Sequence, residues 1–386
     1  MPLTLNEISL SGKSFLFTIT GIKNMVSSVF ILIMTISVSS AQVLKDTATL
    51  KKVRETVDLV YNMQFGDAVK TSDEIRNKYP EHPVVYLLRG MIIYWQNYPL
   101  LSESEAGLRF EEQMKLCMGA SEDFKPENEA EFLLANMCAR GLLLAYYADN
   151  DVLTRAFPLG RTTYRYFRHT FKFTGTFPDF LFFTGLYNYY REAYPRAHPA
   201  YKPLLAIFPS GDMEKGLNEL TTAFRKSIFL RAEASTFLSS IYKYFENDFI
   251  SALKFSSAIY REHPMNIIYK INSIEDLLLN KRYDEAEKLI TTPDPGETNN
   301  YFIAQISILR GVLYEKKYFD TVRAEKEYSS GIKMIGEYGD YGDQYAAYAW
   351  FGLSRISSLN NDRHGERLFR RKARDLTDFE TVNFDD

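Results

Sequence analysis

Two segments 184 residues apart follow the same grammar, and this constrains the fold more than any other feature of the chain. Phe65-x-x-Ala68 is followed twelve residues after its alanine by Pro80, and Phe249-x-x-Ala252 is followed in the same way by Pro264. Lys70 matches Lys254, Ser72 matches Ser256, Ile75 matches Ile259, and a Glu-His-Pro tripeptide stands at 81–83 and at 262–264. An aromatic residue that opens a helix, a small residue where two helices cross, and a proline that ends the helix describe stacked helical units that bury one another's faces. At 386 residues, the chain exceeds what one ordinary core supports, and stacking resolves that.

The pattern resembles the second half of a tetratricopeptide (TPR) helical hairpin. The resemblance implies an all-α fold, a right-handed superhelix of stacked antiparallel hairpins. Its first-helix small position is matched by a recurring glycine, at Gly90, Gly141, Gly185, Gly311 and Gly352. Glycine costs about 1 kcal/mol relative to alanine inside a helix, so its recurrence beside large apolar residues predicts close helix approach. The spacings of these glycines, 51, 44, 126 and 41, differ from the ~34 of the standard repeat, which predicts lengthened hairpins. Tyr283-x-x-Ala286 opens a third second helix, which Pro293, Pro295 and Gly296 end early. Helices are expected at about 83–97, 345–359 and 362–375, the last carrying a cluster of arginines read as a solvated capping face.

Residues 26–38 form an uncharged apolar run, preceded by Lys13 and Lys23 and followed by Ser39-Ser40-Ala41. The run is too short for a standard bilayer span and has small residues before Gln42. It reads as a signal peptide, residues 1–41, cleaved after Ala41, with an uncleaved inner-membrane anchor as the alternative. The expected protein is therefore exported, periplasmic or associated with the cell envelope. Removing the segment leaves a chain about four charges negative, which gives no general attraction to nucleic acid or anionic membranes. Cys117 and Cys138, placed on adjacent antiparallel helices that turn near Asp123, fall at heights differing by roughly 13 Å, too far for a disulfide. They are expected to be buried free thiols.

The middle departs from the repeat. Between Arg155 and Lys202 stand fifteen aromatic residues and eight cations, against Asp179 and Glu192. The stretch at about 151–210 reads as an irregular aromatic and basic insert in a helical-repeat domain spanning 42–386. Gly185-Leu186-Tyr187-Asn188-Tyr189, prolines, then Gly211-Asp212 and Gly216-Leu217 resemble a segment of about 45 residues in larger TPR proteins of the eukaryotic tetratricopeptide-repeat-domain 39 type. Arg161, Arg165 and Arg168, at spacings of four and three, form one stripe of a helix.

No phosphate loop, dinucleotide fingerprint, nucleophile elbow or paired Cys-x-x-Cys occurs. No metal or cofactor is expected. His82, His198 and His263 each precede proline, which points to structural corners rather than ligation. The sequence thus predicts a non-catalytic scaffold or receptor for a protein or extended peptide, binding through Arg161, Arg165, Arg168, Tyr187, Tyr190 and Arg191. Two alternatives remain: a glycan-binding protein that serves outer-membrane uptake, and a helical-toroid carbohydrate-active enzyme in which Asp179 and Glu192 face one cavity.

Overall fold

The twin pattern builds twin helices. Phe65–Lys78 and Phe249–Glu262 each run 14 residues, and each buries the same triad, Ala68, Ser72 and Ile75 in one and Ala252, Ser256 and Ile259 in the other. The tripeptides that follow differ in use. His82 caps the next helix, its ring Nδ1 accepting from the Val84 N–H at 3.2 Å, whereas His263 ends its own helix and packs its ring against Tyr61 and Tyr269.

The computed structural model describes residues 43–385 except 44, 123–124, 200–201 and 294–298; the expected signal segment lies outside them. Among the described residues the regular structure is entirely helical: α1 (Thr47–Tyr61), α2 (Phe65–Lys78), α3 (Pro83–Gln96), α4 (Glu105–Ala120), α5 (Glu129–Asp149), α6 (Leu153–Thr170), α7 (Phe180–Ala197), the short α8 (Lys202–Leu205), α9 (Met213–Lys226), α10 (Arg231–Tyr244), α11 (Phe249–Glu262), α12 (Ile267–Leu279), α13 (Tyr283–Thr291), α14 (Asn300–Lys316), α15 (Thr321–Ile335), α16 (Asp343–Leu359) and α17 (Arg363–Arg374). None of them is long and apolar enough to cross a membrane. The helices pack in neighbouring pairs, α1 on α2, α3 on α4, and so on to α16 on α17, with α7 pairing with α9 across the short α8.

One turn recurs between paired helices. Met63, Asp151, Asn247, Lys281, Phe319 and Asn361 all have φ between 52° and 58°, and each stands two residues before a second helix. At four of these turns the following N–H reaches back five residues, as in Gln64 to the Leu59 carbonyl (2.9 Å) and Arg282 to the Leu277 carbonyl (2.9 Å). This satisfies carbonyls that a helix end leaves open. At five of the six turns the fourth residue of the helix that follows is alanine: Ala68, Ala156, Ala252, Ala286 and Ala324.

The same turn enters the stretch at 151–210. The stretch is mostly regular: α6 completes a hairpin with α5 through the recurrent turn at Asp151, and α7 begins the next one. Its non-helical parts are the segment 171–179 between α6 and α7 and the connection from His198 to Asp212, which contains α8.

Sequence-distant hairpins also meet. Asn266 Nδ2 donates to the Tyr61 carbonyl (2.8 Å), Trp95 packs edge-on to Tyr269, and Tyr98 stacks on Phe302 and meets Tyr301 and Tyr341 edge-on. Deeper in the second half, the buried Lys243 ammonium lies 2.9 Å from both Glu275 and Asp276, and Tyr345 and Tyr348 donate to Glu275. Burial opposes its charge, but the two carboxylates more than offset this and hold Lys243 above its usual range.

The glycines divide. A Cβ on Gly352 would strike the Tyr328 ring, and Gly90, Gly185 and Gly311 are likewise crowded by Met114, Leu220 and Tyr328. Gly141 is the exception, with no atom within 4 Å of its Cβ position. Cys117 is buried and Cys138 half-buried, both free thiols on α4 and α5.

Candidate functional site

Gly141 meets open space because α5 turns one face toward a cavity of about 790 Å³. Helices α5, α6 and α7 form three of its sides, with α1, α3 and the start of α10 behind them. On α6 the cavity face is Gly160, Thr163, Tyr164 and Phe167; on α7 it is Phe183, Tyr187, Tyr190, Arg191 and Tyr194, at helical spacings of three and four. Phe208, from the connection after α8, closes on Tyr164 with ring centroids 4.7 Å apart. The aromatic window that distinguishes the sequence therefore supplies much of the wall. Cys138 keeps some accessible surface because it faces this space, and burial among protein atoms raises its thiol well above the usual range.

Few polar groups interrupt the wall. His82 pairs with Glu131 (Nε2 to Oε1, 2.6 Å), and Glu131 also accepts the Val43 N–H (2.8 Å). At the start of α10, Tyr61 donates to Glu233 Oε1, while Glu233 Oε2 is buried without a hydrogen-bond partner. Burial, reinforced by the nearby Asp179 charge, pushes the Glu233 carboxyl up to about 7. Toward the other end of α7, the Arg191 guanidinium donates to the Phe208 carbonyl (3.1 Å), and its buried Nε has no partner. Its nearest carboxylate, Glu192 at 3.6 Å, is itself held by the Gly211 N–H (2.9 Å). Tyr187 donates to the Pro209 carbonyl (2.6 Å), and burial raises its phenol to about 12.

The six residues singled out from the sequence separate into two places. Tyr187, Tyr190 and Arg191 come together on the cavity wall. Arg161, Arg165 and Arg168 do form one helical stripe, but on the outer, exposed face of α6. None of the three makes an ion pair among the described residues. Beside Arg161 and Arg165, Phe157 is 60% exposed.

The two carboxylates weighed for hydrolytic chemistry do not converge. Asp179 accepts the N–H groups of Ile228, Phe229 and Leu230 at 2.8–3.1 Å, tying α7 to the start of α10. Glu192 lies 13 residues further along, roughly 20 Å at the helical rise, and neither carboxylate lines the cavity. Among the described residues no group of three or more His, Cys, Asp or Glu is arranged to hold a metal ion.

Sequence reasoning missed Glu233, Tyr61 and Phe208 as site residues. Gly141 reads with the other recurrent glycines as a close helix crossing, and nothing local marks it out. No protein-family model matches the chain, and no curated protein matches it.

Proposed function

We propose that this chain is an exported, non-catalytic receptor of TPR-like architecture, a right-handed superhelix of stacked hairpins, that holds an apolar small molecule in the cavity between α5, α6 and α7. One observation carries the reading: about 790 Å³ of space walled by aliphatic and aromatic side chains. That volume falls in the range of small-molecule sites, roughly 300–1,000 Å³. Water is a poor occupant because such a wall offers few hydrogen-bond partners. A glycan fits less well for the same reason, since its hydroxyls would be left unpaired.

Gly141→Leu is the direct test. The new Cβ meets no packed atom within 4 Å and the side chain takes up part of the space, so the variant should fold as the parent does and bind N-phenyl-1-naphthylamine, a neutral apolar fluorophore, more weakly. Equal fluorophore binding by the parent and the variant, or none by either, would refute the reading.

A second reading, an acidic protein partner docked on α6, is favoured by the exposed Phe157 beside Arg161 and Arg165. Replacing Arg161, Arg165 and Arg168 with alanine should then reduce recovery of a cross-linked partner while leaving fluorophore binding intact; unchanged recovery removes it.

A further inference from the structure

The cavity is polar at the two ends of α7 and at the His82–Glu131 pair, and largely apolar elsewhere. Glu233 lies in the first turn of α10, beside the Leu230 N–H that Asp179 anchors at the N-terminal end of α7. Arg191 is twelve residues beyond Asp179 on α7, so roughly 18 Å of helix separates the two ends. Between them the wall presents Phe183, Leu186, Tyr187 and Tyr190. Each end holds a buried polar atom without a hydrogen-bond partner, Glu233 Oε2 and Arg191 Nε, as does His82 Nε2 beside Glu131, and such atoms cost free energy while unpaired.

The two ends differ in charge. Among the described residues Arg191 is the only guanidinium or ammonium on the cavity wall, and its nearest carboxylate, Glu192, lies 3.6 Å away, beyond hydrogen-bond distance, and accepts the Gly211 N–H. His82, the other potential cation there, is paired with Glu131. Above about pH 7 the Glu233 end is acidic, with Asp179 behind it, and repels an anion. We infer that the cavity's ligand is a single-chain amphiphile with one singly charged anionic head, such as a long-chain carboxylate. Its head is seated at Arg191 and its apolar chain lies along α7 toward Glu233. A singly charged head matches the single guanidinium, and charge-assisted hydrogen bonds are the strong ones. The proposal rests on the reading of the cavity as a small-molecule site and adds the chemistry and orientation of the occupant.

The test uses the purified full chain, stripped of co-purified lipid, with N-phenyl-1-naphthylamine displaced at pH 8 by palmitate, hexadecanol or methyl palmitate. Palmitate should displace the fluorophore at concentrations about tenfold or more below those of the alcohol and ester, since a hydrogen bond to a charged group is worth ~1.5–3 kcal/mol. Arg191→Gln should bring the three competitors to equal potency by weakening palmitate alone. If the parent protein does not distinguish acid from alcohol, or if Arg191→Gln weakens all three alike, the head assignment is wrong while the cavity reading stands. If the fluorophore does not bind, or binds equally to the Gly141→Leu variant, the cavity reading itself fails. Hexadecyl phosphate, run beside palmitate, is expected to be the weaker competitor; a stronger one would overturn the assignment of a singly charged head.

Discussion

Gly141 and Gly352 occupy the same place in the sequence grammar, a small residue among large apolar ones on a first helix, and the fold uses them in opposite ways. At Gly352 the missing side chain admits the Tyr328 ring, whereas at Gly141 it widens a cavity. Nothing local separates the two, because what fills the space comes from a different helix. Glu233 makes a similar point through its proton. Its carboxyl is raised from 4.5 to about 7, chiefly by burial, so the folded state binds the proton more tightly than the unfolded chain. Stability therefore declines as pH rises from about 4.5 through 7, by roughly 3 kcal/mol from this group. Glu233→Gln should unfold at a higher urea midpoint than the parent at pH 8, and the advantage should shrink by pH 5. The difference between the two proteins is the readout, because Asp149, raised to about 6 by burial, gives both the same slope. An equal difference at both pH values would refute the assignment.

At the scale of elements, the recurrent left-handed turn and the alanine at the fourth position of the second helix define the hairpin. The sequence made this legible only where an aromatic residue opens the helix, at Phe65, Phe249 and Tyr283. Leu153-x-x-Ala156 and Thr321-x-x-Ala324 follow the same structural rule with different openers, and the turn residue itself varies from Met to Asp, Asn, Lys and Phe. The turn is set by the backbone hydrogen bonds that close the preceding helix, so side-chain identity conveys little of it. Asp179 is the element-scale device that positions the acidic end of the cavity: one carboxylate, 2% exposed, accepts three N–H groups where α10 begins. Asp179→Ala leaves those donors unpaired and should lower stability by on the order of 3 kcal/mol. Equilibrium urea denaturation measures it, and a loss below about 0.5 kcal/mol would show that the anchor is dispensable.

For the whole molecule, contacts between distant hairpins change the expected behaviour. A helical array whose units touch only their neighbours unfolds piecewise, but here Trp95 and Tyr98 pack against Tyr269, Tyr301 and Phe302 from the second half. The two tryptophans report on different regions, Trp95 at the end of α3 and Trp350 in α16 against Phe369. Single-tryptophan variants, Trp95→Phe and Trp350→Phe, should give coincident urea midpoints once each is corrected for its own stability by circular dichroism. Two separated fluorescence transitions within one variant's unfolding curve would mean that the halves fold independently.

The sequence by itself determined the helical class, the ends of the helices at 83, 359 and 374 to within a residue or two, the small-residue crossings at Ala68, Ala252 and Ala286, and the aromatic stretch that supplies much of the cavity wall. These depend on local periodicity, capping and breakers, which act within a few residues of themselves. Only the tertiary structure decided that Tyr187, Tyr190 and Arg191 face inward while Arg161, Arg165 and Arg168 face solvent, and that Glu233 and Tyr61, 172 residues apart, meet at one end of a cavity. A cavity is a property of what several helices fail to fill together, so it has no signature in any one of them.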